Sequence, residues 1–122
     1  MTSAVAEARL TDAQRRVLET LPDYDPSCPG VPQHQITSDE QGYLTIVIEM
    51  PRTGWARPIS IARRTGLSRS SVQRSLKVLC GLQLAERSEC GYMTEFGSVV
   101  WQGIYRRTPA GTAALEAMRR AR

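Results

Sequence analysis

The chain has 122 residues, 41% hydrophobic and 23% charged, with a formal net charge of +4. That length supports one domain, or one with an appendage, whose modest core needs neither disulfides nor metal. No apolar run approaches the roughly 18 residues of a membrane span, and the N-terminus lacks the basic flank and apolar segment of a signal peptide.

Cys28, Cys80 and Cys90 follow no Cys-x-x-Cys pattern, and His34 is the single histidine. Zinc and a disulfide framework are therefore not expected, and no cofactor is implied. The expected compartment is a reducing cytoplasm.

Charge is segregated along the chain. Between Val17 and Pro51 there is no Lys or Arg, against the acids Glu19, Asp23, Asp25, Asp39, Glu40 and Glu49. From Met50 to Ala85 there is no acid, against Arg52, Arg57, Arg63, Arg64, Arg69, Arg74 and Lys77. A basic block confined to one structural unit is the footprint of a polyanion partner; the bland alternative is a solvated surface.

Residues 1–10 are weakly patterned and expected to fray. Thr11 and Gln14 have capping-box spacing, and Val17, Leu18 and Leu21 make an apolar stripe, which predicts a helix ended by Pro22. Pro22 to Gln35, with Pro22, Pro26, Pro29 and Pro32, reads as loop. It suggests a boundary between an N-terminal appendage, 1–35, able to serve dimerisation, and a main domain, 36–122. Cys28 lies in this loop, expected exposed, with nothing basic beside it in sequence to lower its pKa. Ser38 to Gln41 repeats the capping pattern. The Tyr43–Met50 run that follows is β-branched, as in a strand. The cap, the first-turn acids and Pro51 favour a helix, and a helix is the reading adopted. Arg52 to Gly54 reads as a turn, and Trp55 to Pro58 as a short extended piece.

The stretch from Ile59 to Leu79 reads as two helices joined by a tight turn. The first runs from about Pro58 to Thr65, with Pro at its start, Ile61 and Ala62 facing inward, and Arg63 and Arg64 at the C-terminal end. Gly66 supplies the positive φ of a helix end. Ser68 caps the second helix, with Ser71 at the third position. Val72, Leu76 and Leu79 form its core stripe. Arg69, Ser70, Gln73, Arg74 and Lys77 occupy the other side. These residue types recognise base edges and phosphates, and the free N–H groups at the helix start suit a phosphate.

Gly81 reads as the C-cap of that helix, with Leu82 and Leu84 returning to the core and Cys80 a small buried residue. Ala85 to Glu89 and Val99 to Arg107 predict a β-hairpin with a long tip from Cys90 to Ser98. Thr108 and Pro109 open a final helix with Leu115 and Met118 inward and Arg119, Arg120 and Arg122 favouring its C-terminus.

Thr65-Gly-Leu-Ser-Arg-Ser-Ser-Val72, with Ala62 at the small-residue position, resembles the helix-turn-helix of bacterial and phage regulators. Leu82-Gln-Leu-Ala-Glu-Arg87 and Tyr105-Arg-Arg-Thr-Pro-Ala-Gly111 resemble the passages into and out of the wing in MarR-like proteins. The resemblance covers Ser38 to about Met118. It implies a mainly α fold with a small β-hairpin, a winged helix-turn-helix; an alternative register makes Thr11 to Leu21 its first helix. The implied function is a double-stranded-DNA-binding transcriptional regulator, a repressor of phage, plasmid or autoregulatory type, cytoplasmic and nucleoid-associated. It would be a homodimer on a palindromic site. Arg69, Ser70, Gln73 and Arg74 would read bases, and Ser68, Ser71 and Lys77 would hold phosphate, assisted by Arg63, Arg64 and Arg87. The wing departs from the common pattern. Its tip, Gly91 to Gly97, has no base, so Arg87, Arg106 and Arg107 at the strand ends are the candidates for phosphate contact. Tyr92, Met93 and Phe96 offer a protein contact or a cover for the core. The rival readings are a replication or recombination accessory factor and a protein-interaction module, such as an inhibitor, without DNA binding. No nucleophile–base pair, metal cluster or phosphate loop is visible, so no enzyme is expected.

Overall fold

The structure, a computed structural model, describes residues 10–28, 33–49, 53–93 and 95–121, without the side chains of 33–36, 45–49 and 92–93. The expectations for residues 1–9, Met50 to Arg52, Arg122 and the side chains of Tyr92 and Met93 lie outside the described residues. In chain order the elements are α1 (Asp12–Thr20), β1 (Gln33–Ser38), β2 (Leu44–Glu49), α2 (Pro58–Thr65), α3 (Arg69–Gly81), β3 (Ala85–Met93), β4 (Val99–Arg107) and α4 (Pro109–Arg120). The described residues thus form a mixed α and β fold with two separate two-stranded antiparallel sheets. This corrects the mainly α expectation.

The added sheet stands where the Ser38–Met50 helix was predicted. β1 and β2 pair from Gln33↔Glu49 to Ser38↔Leu44, so the predicted loop also ends earlier, at Gln33. The residues read as a helix cap close a turn instead. Asp39 Oδ1 accepts the N–H groups of Gln41 at 3.0 Å and Tyr43 at 2.8 Å, and Gly42 takes φ +84°. A short acceptor beside a glycine serves a turn as well as a cap. The β-branched Thr45–Ile48 run then decides for strand.

One core joins α1, α2, α3, β4 and α4. Val17, Leu18, Leu21, Ile61, Val72, Leu76, Leu79, Leu84, Tyr105 and Leu115 belong to a single buried cluster. α1 starts at the predicted capping box, Thr11 with Gln14, and its apolar face packs against α3. Fully burying a Leu or Val side chain contributes about 1.5–3 kcal/mol. With Val17 and Leu18 fully buried, this helix is part of the packed body and not an appendage.

β3 and β4 pair from Ala85↔Arg107 to Met93↔Val99. β3 therefore runs through Gly91 to Met93, so the predicted tip, Cys90 to Ser98, is cut back from its N-terminal side. Gly91 sits opposite Trp101, where a missing side chain leaves room for a large one. The extended piece before α2 adds to this sheet: Ala56 and Tyr105 exchange N–H···O bonds of 2.8 and 2.9 Å.

The end of α3 departs from expectation. Gly81 is inside the helix, the C-cap is Leu82, and the left-handed residue is Gln83 at φ +61°. Gln83 N–H bonds Cys80 O at 3.0 Å, and Leu84 N–H bonds Leu79 O at 2.9 Å. That pair of bonds is a Schellman motif with glutamine at the left-handed position. Leu84, 1% exposed, anchors it in the core, while Leu82 is 40% exposed and does not return there. α4 begins as predicted, with Thr108 capping and Pro109 in the first turn.

Candidate nucleic-acid interface

The predicted turn between two helices is present. α2 closes on Gly66 at φ +74°, whose N–H bonds Ala62 O. Thr65 Oγ1 donates to Ile61 O at 2.7 Å and accepts Leu67 N–H at 3.3 Å. Arg16 of α1 donates to Thr65 O, tying the turn to the core. Ser68 then caps α3, its Oγ accepting Ser71 N–H at 3.2 Å. The N–H groups of Arg69 and Ser70 precede the first intrahelical bond, so the start of α3 presents donors and a positive dipole end.

Val72, Ser75, Leu76 and Leu79 are buried on one side of α3. Ser68, Arg69, Ser70, Gln73, Arg74 and Lys77 are exposed, as are Arg63 and Arg64 on α2, and Ser71 is half-buried. Arg69 lies toward the flank of the core stripe, since it precedes buried Val72 by three residues. Ser70, Gln73, Arg74 and Lys77 are the group facing outward together. Ion pairs among the described residues are Arg15–Asp12, Arg87–Glu89, Arg106–Glu86 and Arg107–Asp23. Within that set Arg63, Arg64, Arg69, Arg74 and Lys77 have no carboxylate partner. Arg74 and Lys77 share the wall of one groove, and exposed cations without counter-charge favour a polyanion.

The cations at the base of the hairpin differ. The Arg106 guanidinium lies 4.5 Å from the Tyr24 ring and 4.1 Å from the Trp55 ring. It pairs with Glu86 and donates to Asp25 O and Cys28 O at 3.0 Å each. Arg107 pairs with Asp23 at 2.6 Å and donates to Leu18 O and Glu19 O at the end of α1. The expectation that Arg106 and Arg107 reach phosphates is therefore corrected: both guanidinia are committed to the Pro22–Cys28 loop and α1. Arg87 is intermediate. It is held by Glu89 at 3.1 Å, and the Tyr105 hydroxyl and then Glu89 stabilise its charged form and raise its pKa.

Arg87 borders a groove of about 470 Å³ between α3 and the hairpin. Arg74, Lys77, Leu76, Cys80 and Tyr105 also line it. Burial pushes the Cys80 thiol up, so it is a neutral part of an apolar floor. Gly103 keeps the hairpin side open, because a Cβ there would lie 2.8 Å from Arg87 Nε and 3.0 Å from the Tyr105 hydroxyl. Sequence reasoning missed this groove; a lone glycine inside β4 was its one signal. Arg64 lines a second, polar hollow with Arg57, Ser60 and Trp55, where Trp55 Nε1 is buried without a hydrogen-bond partner among the described residues.

The wing-tip candidates are divided. Phe96 is 86% exposed and Trp101 48%, so Phe96 does not cover the core. Cys28 is half-buried, with Sγ 3.6 Å from Asp25 Oδ2 and from Thr53 Oγ1. Among the described residues no group of three or more His, Cys, Asp or Glu is arranged to hold a metal. No helix among them is long and apolar enough to cross a membrane. Comparison with protein-family models, curated proteins and solved structures gives no match to the chain.

Proposed function

We propose that the chain is a winged-helix DNA-binding regulator that presents α3 to the major groove of duplex DNA. The observation that carries this reading is that the exposed cations of α2 and α3 have no carboxylate partner among the described residues, whereas Arg106 and Arg107 at the hairpin base are engaged internally. The packing of α1 against α3 supports the register in which α1 is the first helix of the fold, and β1–β2 is then an insertion before the helix pair. Arg69, Ser70, Gln73 and Arg74 read base edges, and Ser68, Ser71 and Lys77, with Arg63 and Arg64, hold phosphates. One recognition helix buries little surface, so two copies on a palindromic site are expected.

Binding of the full chain to duplexes cut from around its own gene, over a salt series, tests the reading. The expected plot of log affinity against log salt falls with a slope of about −0.9 for each phosphate contacted. Arg69→Ala/Arg74→Ala flattens it and lowers affinity about tenfold or more. Absence of binding, or a double variant that binds like the parent, overturns it. The exposed Phe96, Val99 and Trp101 favour a second reading, a protein-interaction module. That reading predicts that the Phe96→Ser/Trp101→Ser variant loses the biological activity while Arg69→Ala/Arg74→Ala keeps it.

A further inference from the structure

Among the described residues β1 and β2 pair with each other and with no third strand, and they make no comparable packing with any other element. A free two-stranded hairpin is marginal in water, and strands of six residues carry the tip about 20 Å from its root. The tip has a particular chemistry. Asp39 to Gly42 are exposed, Tyr43 is 73% and Leu44 70% exposed, and Glu40 has no cationic partner among the described residues. Two acids beside an exposed aromatic and an exposed leucine are the complement of the groove beside α3, which is lined by the exposed Arg74 and Lys77, by the Glu89-paired Arg87, and by Leu76, Cys80 and Tyr105.

We propose that this groove receives the β1–β2 tip of a second copy of the chain, so that self-association covers the cationic face of α3. The charge segregation selects this pairing. The stretch from Val17 to Pro51 has acids and no Lys or Arg, and the stretch from Met50 to Ala85 has bases and no acid. Two basic faces repel and two acidic tips repel, but a tip and a groove attract. A groove of about 470 Å³ is within the roughly 300–1,000 Å³ range that encloses a group of side-chain size or larger. The neutral thiol of Cys80 keeps its floor apolar under the Tyr43 ring and Leu44. If each copy lends its tip to the other, the contact is two-fold and closes at a dimer. The contact itself does not depend on the DNA reading. Its consequence, that self-association and duplex binding exclude each other, rests on that reading.

The test is the mass of the full chain in solution, by light scattering or sedimentation, over a concentration series at low and high salt. The expected result is a monomer–dimer equilibrium weakened by salt, because contacts between exposed charges are screened over about 8 Å at physiological ionic strength. Glu40→Lys and Lys77→Glu each weaken the dimer about tenfold, and the two together restore it, a rescue that misfolding does not produce. Tyr43→Ala weakens it at high salt as well. Asp39 is left intact because it holds the turn. A monomer under all conditions, tip variants that associate like the parent, or failure of the charge swap to rescue overturns the proposal. A salt-sensitive masking of α3 without a change of mass, which means the tip folds onto its own chain, also overturns it. With duplex present, Glu40→Lys binds more tightly than the parent at concentrations where the parent dimerises. If no variant binds duplex, the DNA reading fails while the mass measurement still decides the tip contact.

Discussion

The arginines of α2 and α3 and those at the base of the hairpin are the same residue type in opposite circumstances. Arg106 is 5% exposed, stacked near two rings and bonded to a carboxylate and two carbonyls. Arg69 and Arg74 are exposed, with no carboxylate partner among the described residues. An arginine that has spent its donors internally positions backbone; one that keeps them offers bidentate bonding to an outside anion. The pattern of partners, more than the count of positive charges, separates the frame of this molecule from its candidate working face.

That contrast can be broken by substitution. The largest effect is expected on the frame side at Gly111, buried in the first turn of α4. A Cβ there would lie 1.9 Å from the Leu84 carbonyl oxygen, backbone that cannot swing aside. Gly111→Ala should cost about 3 kcal/mol or more, as overpacking against a fixed group does, read as loss of the cooperative urea transition at room temperature or a sharply lowered midpoint. Arg106→Ala should cost about 2–4 kcal/mol, since it strands Glu86, two carbonyls and two rings; under the proposed DNA-binding function its folded fraction keeps the parent salt slope. Ser68→Ala should cost about 1 kcal/mol by removing the cap of α3. A thermal melt unchanged from the parent would dismiss the cap.

A smaller effect is expected at Asp23. Its bond to Arg107 and then that to Thr112 hold its carboxyl below the usual carboxylate value. A depressed folded-state pKa stabilises above the unfolded pKa, near 3.9, and that contribution disappears as pH falls through the folded value. Asp23→Asn should therefore flatten the fall in stability below about pH 4. The side chain is 65% exposed, so screening keeps the change small. The smallest effect is expected from Arg69→Ala/Arg74→Ala on stability, within about 0.5 kcal/mol by urea titration. A large loss of stability there would erase the contrast between the two regions.

Much of the fold is legible in the residues. Thr11 with Gln14, Ser68 and Thr108 announce three helix starts, and Gly66 announces the turn, because capping and positive φ are local chemistry set within four residues. The β1–β2 hairpin escapes local reading for the same reason. Ser38 to Gln41 serves a cap or a turn equally, and the choice is made by the β1–β2 pairing between Gln33 and Glu49, which no local window contains. The glutamine at the left-handed position after α3 has a related cause, since burial of Leu84 holds the chain where glycine would ordinarily be expected. The exposed side of α3 was readable from its spacing, whereas the groove beside it was not, because Tyr105 and Arg87 reach it from strands that follow α3 in sequence.

The sequence by itself determined the starts of α1, α3 and α4, which face of α3 is apolar, and that the chain divides into an acidic and a basic segment. Each follows from neighbours within a turn or from composition. Only the tertiary structure decided that α1 belongs to the core, that Arg106 and Arg107 are consumed in holding a loop, and that the cations of α3 border an open groove. Those outcomes depend on which distant groups come within hydrogen-bonding or van der Waals reach. Asp25 and Arg106 stand 81 positions apart, and neither segment carries a trace of that contact.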